Sequence, residues 1–117
     1  MLQRHPNQAI QVLIVWEPIL MTDWGRPGAA ALKRIPDPRV RQFWDPRHVV
    51  AAALRRAGKG KTPSPEPECC MAKGFYWDDA ILYAKGAKWG DQPDAKFWNG
   101  PVFRVEPELE KTLSQLP

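Results

Sequence analysis

The sequence predicts an α/β fold of order β-α-β-α-β-β-α, with a mixed central sheet and helices on both faces. Three observations predict it. Val12-Leu13-Ile14-Val15-Trp16 is a continuous apolar, β-branched run closed by Glu17-Pro18. Two Ala-rich segments with helical signals separate it from later strand-like runs. A Gly-centred turn near residue 86 and an amphipathic C-terminal segment complete the order.

Residues 1–9 are mainly polar, with Pro6, and residues 1–10 are expected as a flexible lead-in to a single domain over residues 11–117. Gln11–Trp16 is the first strand; its unbroken apolar pattern suits burial on both faces. Pro18 cannot donate to a ladder and ends it. Thr22 or Asp23 can cap the next helix, Pro27 suits its first turn, and Ala29–Leu32 with Ile35 forms its body. Pro36 and Pro38 stop that helix.

Arg39–Trp44 is the second strand. Asp45-Pro46 is a compact helix start, with Asp as the cap and Pro at the first helical position. Val49, Val50, Ala53, Leu54 and Ala57 then recur at spacings of three and four, giving one apolar stripe that Gly58 ends. A Pro-rich loop follows over residues 58–74; its Thr62–Glu68 stretch has Pro at every second position and should be extended.

Trp77–Tyr83 is the third strand, and Ala84-Lys85-Gly86-Ala87 turns it back into a return strand beginning at Lys88-Trp89. Residues 90–101 are a punctuated crossing anchored by Phe97 and Trp98. Glu106–Leu116 is a terminal amphipathic helix, with Pro107 near its start and Leu109, Leu113 and Leu116 on one face. The first three strands should pair in parallel through right-handed crossovers.

Composition narrows the function. The chain has 17 basic and 13 acidic residues, interspersed, for a net charge of +4. A nucleic-acid surface would show a block or a stripe, so no nucleic-acid partner is expected. The short knot Arg55-Arg56 to Lys59-Gly60-Lys61 suits a helix C-terminus instead. No apolar run approaches the roughly 20 residues needed to span a bilayer. Two Cys cannot build a multi-bridge secreted framework. The cytoplasm is the default compartment, and the periplasm if a leader has been removed.

The strand end Trp16-Glu17-Pro18 followed by a turn and a helix, Asp23-Trp24, Phe43-Trp44-Asp45 and the hairpin end Gly86-Ala87-Lys88-Trp89 resemble the thioredoxin-like superfamily. The likeness is to an uncharacterised bacterial group lacking the usual Cys-x-x-Cys, and it covers most of residues 11–116. It implies the thioredoxin-like fold and places the functional edge where the first strand meets its helix. There the chain has Met21-Thr22-Asp23-Trp24. None of these is a thiol, so the ordinary dithiol mechanism cannot run at that position.

Two functions follow. In the first, the domain is a non-enzymatic binding or interaction module for a protein or small molecule, with Trp16, Pro18, Asp23 and Trp24 as its edge. In the second, the adjacent thiols Cys69-Cys70 act as a redox switch, a reductase-like centre or a soft-metal site. Alternatively, one Cys is a small buried hydrophobe and the other points outward. No cofactor is expected, a soft metal at Cys69-Cys70 being the exception. Structural zinc would need two further ligands, and only His5 and His48 are available, without zinc-like spacing.

Asp23 reads first as a helix cap and then as a functional acid. His48 reads as a surface residue before a catalytic base. Asp78-Asp79 cannot act as a dyad on a strand, because neighbouring side chains point to opposite faces. No phosphate loop, Ser-His-Asp arrangement or dinucleotide fingerprint is present.

Overall fold

A computed structural model describes residues 1–23, 25–58, 71–72, 74–91 and 94–117. The protein is mixed α/β, with small sheets and three α-helices among these residues. It divides into two compact units, residues 1–50 and 51–117.

The first unit is built on strands β1 (Val12–Trp16) and β2 (Val40–Trp44), joined through the short helix α1 (Ala29–Leu32). The strands pair in parallel, as expected, in a register running from Val12 opposite Val40 to Trp16 opposite Trp44. Residues 12, 14 and 16 therefore share a face with 40, 42 and 44. On that face the Trp16 indole Nε1–H donates to Gln42 Oε1 at 2.9 Å. Gln42 Nε2 in turn donates to the Leu32 carbonyl at 2.8 Å. This relay ties β1, β2 and the end of α1 together. It also satisfies an amide that would be costly to half-bury alone.

Residues 1–10, expected as a lead-in, carry a 3-10 turn at Leu2–Arg4. The Arg39 guanidinium donates to the carbonyls of Leu2, His5 and Gln8 at 3.0, 2.6 and 3.1 Å. Asp37 holds the same guanidinium through two side-chain bonds, at 2.9 and 2.7 Å. One planar fork thus fastens the start of the chain to the start of β2.

Helix α2 (Val49–Gly58) follows β2. Asp45 is its capping acid, as the sequence predicts. Pro46, however, lies three residues ahead of the helix and not at its first position. The stripe predicted on α2 is also only partly buried: Val49 is exposed, and Ala51 is the buried residue.

The second unit differs more from expectation. The strand expected at Trp77–Tyr83 is shorter, β5 (Ala80–Tyr83), and it pairs antiparallel with β6 (Ala95–Asn99). Lys88-Trp89 does not start the return strand. The turn at Ala84–Ala87 does form, with Ala87 N–H donating to the Ala84 carbonyl and Gly86 at φ +80. Trp89 then enters a 3-10 turn (Trp89–Asp91), its ring edge-on to Tyr83 at 6.4 Å. The return strand begins at Ala95, with a bulge between Leu82 and Tyr83. A small hairpin, β3 (Met71–Ala72) with β4 (Phe75–Tyr76), precedes β5. The described pairings are three two-stranded ladders, not the expected single mixed sheet.

Helix α3 runs from Val102 to Gln115, four residues earlier than expected, with Pro107 inside it. The early start is supported by Asp78, whose carbonyl accepts the Val102 N–H at 3.1 Å. Pro107 forfeits one bond, to the carbonyl of Phe103, and that residue is exposed, so water can replace it. Val105, Leu109 and Leu113, one turn apart, are buried on β5 and β6 together with Phe97 and Trp98. Trp98 donates its Nε1–H to Asp79 Oδ2 at 3.0 Å and meets the Tyr76 ring edge-on at 5.3 Å. Phe97 and Trp98 are thus the anchors the sequence predicts, placed on a strand instead of a crossing.

Candidate functional site

The carboxyl ends of β1 and β2 are where side chains of differing chemistry converge. In open α/β sheets such ends are the usual place for ligands, because the chain leaves the ladder there in loops. Trp16 ends β1, and its carbonyl accepts the Asp45 N–H at 2.8 Å, one step beyond the last residue of β2. The ladder therefore closes just where Glu17 and Asp45 begin the two exits.

From the β2 exit, Asp45 turns its carboxylate onto the start of α2. Oδ1 accepts from Val49 N–H at 3.0 Å and Oδ2 from Val50 N–H at 2.8 Å. These are among the helix-start donors that lack partners within the helix. Asp45 is only 8% exposed, the one buried charged residue among those described.

His48 lies between them, at φ +54, a left-handed conformation uncommon for a residue with a Cβ. Its Nδ1 is hydrogen-bonded to Glu17 Oε2 at 2.9 Å, with the two side chains 22% and 12% exposed. His48 is thus a half-buried partner of Glu17, not the surface residue the sequence suggests. Burial pushes the Glu17 carboxyl above its ordinary range; the His48 hydrogen bond and charge pull it back, and the Asp45 charge pushes it up. The pair joins the exit of β1 to the start of α2, across 31 residues of sequence.

From the β1 exit, Pro18 leads into a loop that Asp23 closes. Asp23 Oδ2 accepts from Ile19 N–H at 2.8 Å and from Leu20 N–H at 2.7 Å, while its own N–H donates to the Leu20 carbonyl at 3.0 Å. Asp23 therefore does not cap α1, whose N-cap is Gly28. Its carboxylate reaches back to the loop before it. The Leu20 and Ile19 amides hold its carboxyl below the usual range. At the tip, Leu20 and Met21 are 67% and 87% exposed. Among the predicted edge residues, Trp16 belongs to the β1–β2 face, Pro18 begins the loop, Asp23 closes it, and Trp24 lies outside the described residues.

Cys69 and Cys70 also lie outside the described residues. Among the described residues no three His, Cys, Asp or Glu side chains are grouped to hold a metal ion, and no helix is long and apolar enough to cross a membrane. Asp78 and Asp79 lie just before β5 and not on a strand, so the strand argument does not apply to them: Asp78 sits at φ +53 in a bend, while Asp79 Oδ2 accepts from the Trp98 indole.

Reasoning from sequence missed the Glu17–His48 pair and the exposed Leu20-Met21 tip. Glu17 follows a strand and His48 follows a helix-start signal, but nothing local links them. The signal that could have found the tip is the run of three large apolar residues, Ile19, Leu20 and Met21, between Pro18 and Asp23. No protein-family model, curated protein or solved structure matches the chain.

Proposed function

We propose that this chain is a thioredoxin-like domain without a dithiol centre, acting as a non-enzymatic binding module through the rim of residues 16–23. Two features support the fold reading: the parallel β1-α1-β2 motif and the antiparallel β5-β6-α3 motif are the opening and closing motifs of the expected order. The observation that carries the functional reading is the exposed Leu20-Met21 pair on a loop whose backbone Asp23 already fastens.

Large apolar side chains held out in water are characteristic of interaction sites. A loop closed beforehand loses less conformational freedom when a partner arrives. The partner best suited is an apolar peptide segment or a small molecule with an apolar face. Burying each side chain contributes about 1.5–3 kcal/mol. Removing most of one is therefore worth roughly tenfold or more in affinity.

The test is a selection from a displayed random-peptide library on the purified chain. Selected peptides are then mapped by amide chemical shifts and titrated against Met21→Ala and Leu20→Ala. Enriched peptides that shift residues 17–23 and weaken about tenfold with Met21→Ala are expected. Peptides that bind elsewhere, or the absence of any enriched binder, would overturn the reading.

A further inference from the structure

We infer that the Glu17–His48 pair is a proton-linked latch that sets the position of the 18–23 loop and so regulates the binding edge. As a regulator of binding it rests on the function proposed above; as a latch it rests on geometry alone. Three observations place it. The pair is short, 2.9 Å, and largely shielded from water. It bridges two exits from one ladder, and Glu17 is covalently followed by Pro18, whose ring restricts the route into the loop. His48 is held at φ +54, a strained conformation of the kind that persists where surrounding contacts enforce it.

The charged groups that act on Glu17 are His48, from the β2–α2 connection, and Asp45, from the end of β2. On the loop side the acid is Asp23, already engaged by two backbone amides. Protonation of Glu17 changes the carboxylate beside the imidazole into a carboxylic acid. That change alters the strength of the bond and the charge facing Asp45. Glu17 is raised by burial, so the folded latch takes up a proton more readily than the unfolded chain. The stability contribution of that uptake is present at low pH and is lost as pH rises through the raised Glu17 value. Protonation of Asp23 would also move Ile19 and Leu20, but it falls below the ordinary carboxylate range and is separable.

The experiment is a pH titration of the full chain by NMR. It follows the side-chain carboxyl of Glu17, the His48 ring and the amides of Ile19, Leu20 and Met21. Glu17→Gln and His48→Asn are measured beside it; Asn tolerates the left-handed backbone at position 48. In the wild type the loop amides should titrate with the same midpoint as the Glu17 carboxyl. In both variants that step should vanish, while the lower step from Asp23 remains. Loop amides that stay still while Glu17 titrates would overturn the latch.

A peptide from the selection, bound across the same window, separates the two readings. A change in its affinity of about threefold or more, absent in both variants, is the expected linkage. PH-independent binding at the loop would leave the module standing and remove the regulation. Loop amides that follow the pair when no peptide binds would keep the latch and remove the binding role.

Discussion

Replacing Asp45 separates its role in starting α2 from its effect on Glu17. Asp45→Ala removes both acceptors and leaves the N–H groups of Val49 and Val50 without the carboxylate. A capping side chain is worth about 0.5–2 kcal/mol, and a hydrogen bond to a charged group about 1.5–3 kcal/mol. The two bonds are not independent, because both amides belong to one helix turn, and Val49 is exposed enough for water to reach it. A loss of about 2–4 kcal/mol follows for Asp45→Ala.

Asp45→Asn keeps one carbonyl acceptor but turns an NH2 toward a backbone donor. It should lose about 1–2 kcal/mol, lessened because the charge that repels Glu17 is gone. The assay is urea unfolding followed by the fluorescence of the Trp residues, with an unchanged m-value showing that the unfolded state is the same. The second readout is the Glu17 carboxyl in an NMR titration, which should move down in Asp45→Asn. Variants both within about 0.5 kcal/mol of wild type would refute the capping argument. An unmoved Glu17 would refute the electrostatic one.

Two further outcomes follow from the same structure. Trp98→Phe keeps an aromatic ring against Tyr76 but removes the Nε1–H donor to Asp79, and should cost about 1.5–3 kcal/mol in urea unfolding, against nearly nothing if water replaces the indole. The Arg39 guanidinium, by its hydrogen bonds, holds the Asp37 carboxyl down to about 2, below its usual value of 3.8. That stabilisation is present above the usual value and lost as pH falls toward about 2. Asp37→Asn should therefore flatten the acid limb of a stability profile, and an unchanged limb would sink the assignment.

What the sequence disclosed was local. The run Val12–Trp16 is a strand because β-branched and aromatic side chains fit a pleated surface, and it needs no distant information. Asp45 was legible as a helix cap, Gly86 as a turn with positive φ, and Leu109 with Leu113 as one face of a helix. The return strand was misplaced because the turn signal at Gly86 says where a chain reverses, not where pairing resumes. Trp89 lies instead in a 3-10 turn with its ring edge-on to Tyr83, a packing contact that no local turn signal announces. Similarly, the sequence predicts the last helix from Glu106, with Pro107 near its start, whereas α3 begins at Val102, whose N–H donates to the carbonyl of Asp78, far off in sequence.

The candidate site shows why its chemistry was harder to see than its scaffold. Asp23 and Glu17 both lie near the end of β1, and their ordinary sequence meanings are a helix cap and a strand-ending charge. Each is redirected by what the ladder brings near it. Asp23 finds the Ile19 and Leu20 amides in the loop just before it, and its Oδ2 accepts from both. Glu17 finds His48 because the parallel register sets Trp16 beside Trp44, so that the two chain exits are neighbours. A carboxylate's local context describes its intrinsic preferences, and register decides which of them is used. Moving the register should therefore disconnect the pair without touching either residue. Deleting one residue from β2, such as Arg41, should abolish the nuclear Overhauser contact between the His48 ring and the Glu17 side chain. A contact that survived the deletion would mean that the pair forms without the ladder.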